Sequence, residues 1–170
     1  MADEQAPNPA DMQAGNQPQA SILAQYVKDL SFENPNAPAV YEQREQPQID
    51  VQFNIANNPA GDDLHEVVLK IDVAAKVQDR AAFQVELAYA GLFRLRNIPE
   101  QQLQPFLLVD APTILFPFAR RILADAVRDG NFPALMLEPI DFASLYMQQQ
   151  AQMQQGNGDG NVDLPPTGNA

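Results

Sequence analysis

The sequence predicts an α+β domain, a four-stranded antiparallel sheet with helices packed on one face. Three observations carry this reading. Apolar and polar residues alternate with a period of two through consecutive segments between residues 49 and 95. Short polar turns separate those segments. After Ile98 the apolar spacing changes to the i, i+4 rhythm of helices. The order of elements, strands first and helices after, is that of a sheet covered on one side, and 170 residues are enough for one domain.

The first strand is read from "ILAQYVKDLSFE", residues 22–33, in which Ala24, Tyr26, Leu30 and Phe32 fall in phase and Lys28 interrupts. The stretch "SFENPNAPAVYEQ" follows, and Pro35 and Pro38 make it a stiff connection. "IDVQFNI" sets Ile49, Val51, Phe53 and Ile55 against Asp50, Gln52 and Asn54. "NPAGDD" then supplies a turn. "EVVLKIDVAAKV" sets Val67, Leu69, Ile71, Val73 and Val77 against Glu66, Lys70, Asp72 and Lys76. "AFQVELAYAGLFRLR" does the same with Phe83, Val85, Leu87, Tyr89, Phe93 and Leu95, after a Gln78-Asp79-Arg80 turn. These last two strands form a long antiparallel hairpin.

"PEQQLQPFLLVDAP" predicts a short helix and a loop. "TILFPFARRILADAVRDG" predicts a longer helix capped by Thr113 and stopped by Gly130, with Ile114, Phe118, Ile122 and Ala126 as its apolar stripe and Leu115, Leu123 and Val127 alongside. In that reading Pro117 lies in the first turn, where a missing N–H costs little. "DFASLYMQQQ" predicts a last helix starting at an Asp141 cap. The folded domain spans residues 21–147, and residues 1–20 and 148–170, rich in Gln, Asn, Pro or Gly, are expected to be disordered.

Charge and composition exclude several classes of function. With 22 acidic and 10 basic side chains the net charge is -12. Such a field repels nucleic-acid phosphates and anionic membranes and favours basic partners. There is no cysteine, hence no disulfide and no thiol chemistry. The start of the chain has neither the basic nor the apolar part of a signal peptide, so a cytoplasmic protein is expected. The one histidine, His65, stands beside Asp62, Asp63 and Glu66 at a strand start and reads as a solvated turn residue. None of the three serines lies in a nucleophile motif, and there is no phosphate loop. Neither catalytic residues, nor a metal site, nor a cofactor is expected. Apolar supply is instead in excess: "ILFPF" points side chains around most of a helical turn, and "NFPALMLEPIDF" places six large apolar residues in a nominal loop. Either a satellite core or an apolar groove between subunits accounts for them.

Four segments carry a resemblance: "YVKDLSFENPNAPAVY", "AFQVELAYAGLF", "APTILFPFARRIL" and "GNFPALMLEPIDFASLYMQQQ". In order and spacing, from Tyr26 to Gln150, they strongly resemble the bacterial export chaperone family SecB. The resemblance implies a cytosolic homotetramer, a dimer of dimers. It implies a chaperone that needs no ATP, holds unfolded precursor proteins and passes them to the SecA motor. By position it implies that Asp29, Glu33 and Glu86 contact SecA and that Val85, Leu87 and Tyr89 lie between subunits. Val40, Tyr41, Leu115, Phe116, Phe118 and Phe132 would line the client groove. Family members often carry a Trp just after the loop aromatic, where this chain has Glu45 and Gln46, and basic residues in the tail, where it has none. An acidic adaptor that binds a basic partner and holds no client is the alternative function.

Overall fold

The computed structural model describes residues 15–156. Four strands form one antiparallel sheet: β1 (Gln19–Glu33), β2 (Gln48–Gly61), β3 (Leu64–Val77) and β4 (Arg80–Arg96). Their order is β1-β4-β3-β2, so the first two strands of the chain lie at opposite edges. Residues 34–47, with one 3-10 turn at Ala39–Glu42, cross the sheet's end past the β3–β4 hairpin tip. The Asn36 amide donates to the Ala81 carbonyl at 2.8 Å, and the Gln78 amide to Glu45 at 2.6 Å. That tip is a two-residue turn with Gln78 and Asp79 both at positive φ, the geometry that matches strand twist. Arg80 belongs to β4 rather than to the turn.

The alternation of β2, β3 and β4 segregates the two faces as expected. Val67, Leu69, Ile71 and Val73 are buried on the inner face, opposite Gly91, Tyr89, Leu87 and Val85 of β4. β1 departs from the expected phase. Its pairing with β4 slips between Ile22 and Ala24 and again between Val27 and Asp29. Each bulge turns the strand over by one residue. Tyr26, paired with Ala90, therefore faces outward, whereas Leu30 and Phe32, paired with Leu87 and Val85, face inward. Lys28, the interruption in the sequence pattern, is the extra residue of the second bulge.

The helices lie on the inner face. A short helix α1 (Glu100–Pro105), a π turn (Phe106–Asp110) and a long helix α2 (Ala111–Asp129) follow without a break. The expected loop is thus helical, Thr113 is not a cap, and its hydroxyl donates to the Val109 carbonyl at 2.6 Å. Pro117 consequently lies inside the helix. The buried stripe is Leu107, Ala111, Leu115, Ala119, Leu123 and Val127, all fully buried. The expected stripe of Ile114 and Phe118 faces solvent instead. The difference is one residue of helical phase, and it follows from the small Ala111 and Ala119, which let the backbone of α2 approach the sheet. Gly91 on β4 completes that approach: a Cβ there would stand 2.8 Å from both Leu115 and Phe93.

Gly130 ends α2 as expected, but Asn131 is the left-handed residue. The Phe132 N–H bonds the Val127 carbonyl and the Asn131 N–H the Arg128 carbonyl, a Schellman closure. The last helix, α3 (Phe142–Gly156), is capped by Asp141, whose carboxylate accepts the Ser144 N–H at 3.0 Å and its hydroxyl at 2.7 Å. β1 begins at Gln19 and α3 reaches Gly156, so regular structure extends past the expected limits of 21 and 147. The Asn97 amide also bonds the Gly15 and Gln17 carbonyls. The remainder of both terminal expectations lies outside the described residues.

The substitution Gly91→Ala is expected to destabilise the chain by about 1–3 kcal/mol, because the groups it would displace are buried and have nowhere to move. Urea unfolding monitored by circular dichroism measures it, and an unchanged midpoint would contradict this account of how α2 is seated.

Candidate functional site

Two surfaces with opposite chemistry lie on the two sides of the sheet. On the outer face, cross-strand register builds rows of carboxylates. Asp72 of β3 stands directly opposite Glu86 of β4, which stands opposite Ser31 of β1. Glu33 and Asp50 occupy the next row, with Gln84 and Ala74 between them, and Asp29 the row on the other side, opposite Ala88. Asp29, Glu33 and Glu86 therefore share one exposed face. Asp50 and Asp72 join them, and sequence reasoning missed both as site residues although they have the same outward phase. None of the ion pairs among the described residues engages these five acids. Lys70 shares the row of Asp29 across Ala88, but like charges facing each other across strands cost stability, and the excess of acids on this face favours a cationic partner.

Further along the same face is a neutralised network. Glu66 accepts the Tyr26 hydroxyl at 2.5 Å, the Lys28 ammonium at 2.7 and 2.9 Å, and the Asn58 amide at 3.0 Å. These donors, Lys28 first, hold the Glu66 carboxyl down at about 2. The Tyr26 phenol is pushed up by its bond to the same carboxylate. The network ties the bulged stretch of β1 to β3 and β2 across β4.

On the inner side the predicted groove residues divide. Val40, Leu115 and Phe116 are buried; Leu115 faces Gly91 within the core and cannot line an open groove, which corrects that expectation. Tyr41 and Phe118 are 41% and 44% exposed, and Phe132 is half-buried. Tyr41 and Phe132 meet at 5.6 Å and, with Val40, wall a cavity of about 260 Å³ between the crossover and the end of α2. Phe132 packs on Phe83, and Phe83 on Phe32. The Tyr41 hydroxyl donates to the Gly130 carbonyl at 2.9 Å and accepts the Asn34 amide at 2.6 Å, pinning the loop to the helix end. Phe118 stacks on Tyr89 at 6.4 Å.

A larger groove of about 600 Å³ runs between β2, the π turn and α3. Phe53 and Ile55 form one wall, and Phe142, Leu145, Tyr146 and Met153 form the other. A smaller recess of about 200 Å³ adjoins it at Phe142 and contains Phe116, which meets Phe53 and Phe142 edge-on. The walls on β2 and α3 were not foreseen from the sequence. The available signal was the inward phase of Phe53 and Ile55 on an edge strand that α2 touches through Phe116.

Val85, Leu87 and Tyr89, expected between subunits, are buried in the chain's own core beneath α2. Inward-facing apolar side chains that remain exposed near them are Ile22, Val27 and Leu30 of β1. His65 is not a solvated turn residue: it is half-buried within β3, paired with Pro59 and Phe93. Among the described residues no group of His, Asp and Glu is arranged to hold a metal, and no helix is long and apolar enough to cross a membrane.

Extended apolar grooves on one side of a sheet and an acidic field on the other define a polypeptide-binding protein. Residues 13–153 match the family model described as preprotein translocase subunit SecB. The chain is 63% identical over 145 residues to the protein-export protein SecB of Zymomonas mobilis, covering 85% of this chain and 88% of that one. It is 59% identical over 166 residues to that of Sphingopyxis alaskensis, covering 94% and 96%. The fold is that of a SecB-like chaperone of Mycobacterium tuberculosis, solved in complex with a peptide from an antitoxin, with TM-score 0.60 and 20% identity over 77% of this chain and 95% of that one. The chain belongs to the SecB family and is a chaperone of preprotein export.

The depressed Glu66 carboxyl makes a signed prediction. A carboxyl held below its ordinary 4.5 stabilises the fold above that pH, and the contribution is lost as pH falls toward about 2. Lys28 is half-exposed, so the expected size is about 1 kcal/mol. Urea titrations at pH 6 and pH 3 should show this loss in the wild type and its absence in Glu66→Gln. Equal acid sensitivity of the two proteins would contradict the network's role.

Proposed function

We propose that the chain holds unfolded precursor proteins in the cytoplasm without ATP, as a homotetramer built as a dimer of dimers, and delivers them to the SecA motor. The observation that carries this reading is the opposition of the two surfaces: a client in the inner grooves leaves the acidic outer face free. Holding then needs only apolar burial, about 25 cal/mol per Å², and several shallow grooves engaged by one long chain add up through avidity. No step of it requires a catalytic group or nucleotide.

Client segments occupy the Tyr41–Phe132 cavity and the Phe53–Met153 groove. Peptide binding by the M. tuberculosis SecB-like chaperone favours this over an adaptor that holds nothing. SecA meets Asp29, Glu33 and Glu86, with Asp50 and Asp72 extending the contact. Charge-based recognition of this kind is fast and salt-sensitive. Assembly uses β1, a 15-residue edge strand whose outer edge is unpaired among the described residues. A second copy alongside it continues the sheet and covers Ile22, Val27 and Leu30, and exposed Ile114 and Phe118 on α2 join the dimers. Val85, Leu87 and Tyr89 support that interface from beneath.

Three measurements test the reading. The purified chain is expected to suppress aggregation of a diluted, urea-unfolded precursor without ATP, near one tetramer per client; no suppression at several-fold excess would refute client holding. Light scattering should give the mass of four 18.7 kDa chains, and a clean monomer would refute the assembly. Replacing Asp29, Glu33 and Glu86 together by Lys should weaken SecA binding about tenfold or more while client holding is retained. Loss of both activities would favour the adaptor reading.

A further inference from the structure

The protein has no cysteine, and its described methionines are conspicuously open to solvent. Met136, Met147 and Met153 are 64%, 63% and 60% exposed, although methionine is ordinarily among the more buried side chains. Met153 differs from the other two in position. It continues the face of α3 formed by Phe142, Leu145, Tyr146, Gln149 and Gln150, and with Phe53 it lines the groove of about 600 Å³. Met136 and Met147 line none of the described grooves.

We propose that Met153 is an oxidation site through which peroxide loosens the groove's hold on apolar polypeptide. The inference rests on the client-holding reading above. A thioether is polarizable and adapts to varied side chains, which suits a wall that meets many sequences. Its sulfur lone pair attacks one peroxide oxygen: an S–O bond forms, the O–O bond breaks, and the departing hydroxide takes the proton of the oxygen now bound to sulfur and leaves as water. The sulfur is oxidised to the sulfoxide and the peroxide is reduced. The sulfoxide oxygen is a strong acceptor, and covering it with an apolar client segment buries it without a donor. With no thiol in the chain to compete for oxidant, exposed thioethers are the readily oxidised sulfur.

The test uses the full-length protein and an unfolded client lacking Met and Cys. The protein is treated with hydrogen peroxide, the peroxide is removed with catalase, and client affinity is measured by fluorescence anisotropy while peptide mass spectrometry locates the sulfoxides. Treated wild type and the double variant Met136→Leu/Met147→Leu should bind client roughly two- to tenfold more weakly than before treatment, the range of one thioether contact. Met153→Leu, which keeps the apolar volume, should be unaffected by peroxide, and methionine sulfoxide reductases should restore the treated wild type. Unchanged affinity in wild type bearing the sulfoxide at residue 153, no oxidation at that residue, or an equal loss in Met153→Leu would each overturn the proposal. Failure of the untreated protein to bind client would instead refute the reading on which it rests.

Discussion

The seating of α2 on β3 and β4 is the contact on which the rest of the molecule depends. Six buried positions spaced by four residues, two of them alanines, let the helix lie close over Gly91. Because α2 is seated chiefly on the middle strands and reaches β2 through Phe116, much of the inner face of β2 is left for α3 and the Phe53 groove, and that of β1 is left half open. The Schellman closure at the end of α2 then delivers Phe132 to Tyr41 and the crossover. Both the grooves and the proposed assembly surface are consequences of a helix that is narrower than its sheet.

The opposite face is set by register rather than by helix contact. Antiparallel pairing brings Asp72 and Glu86 face to face and adds Asp50, Glu33 and Asp29 in adjoining rows. Such a face lowers the stability of the isolated chain. A few residues away the same sheet neutralises Glu66 with Lys28, Tyr26 and Asn58. The contrast separates charge that holds strands together from charge left over for a partner.

How much of this was legible in the sequence varied with the period. β2, β3 and β4 follow strict alternation, and their faces were read residue by residue. β1 was read with one phase because a bulge at Lys28 looks in sequence like an interruption, not a reversal. The stripe of α2 was shifted by one because large side chains draw attention, while Ala111 and Ala119, which set the depth of approach, are silent in a hydrophobicity pattern. Gly130 was read correctly as the helix end, but the left-handed turn falls on Asn131. Of the candidate site, Asp29, Glu33, Glu86 and Tyr41 were proposed from resemblance, and the structure shows them exposed. Leu115 was misassigned to the groove, and the walls on β2 and α3 were missed, because burial of an apolar residue is a property of its neighbours rather than of its identity.

The crossover between opposite sheet edges has a consequence for how the chain itself comes to be folded. β2, β3 and β4 follow one another through two tight turns and can assemble as they are made, whereas among the described residues β1 pairs only with β4, Gln19 finding Arg96 across the whole sheet sequence. Contacts so distant along the chain form late. During synthesis β1 emerges first and waits longest, an extended apolar segment with no partner until β4 has left the ribosome. A chaperone of preprotein export is thus itself, until β4 is made, a chain with an unpartnered strand.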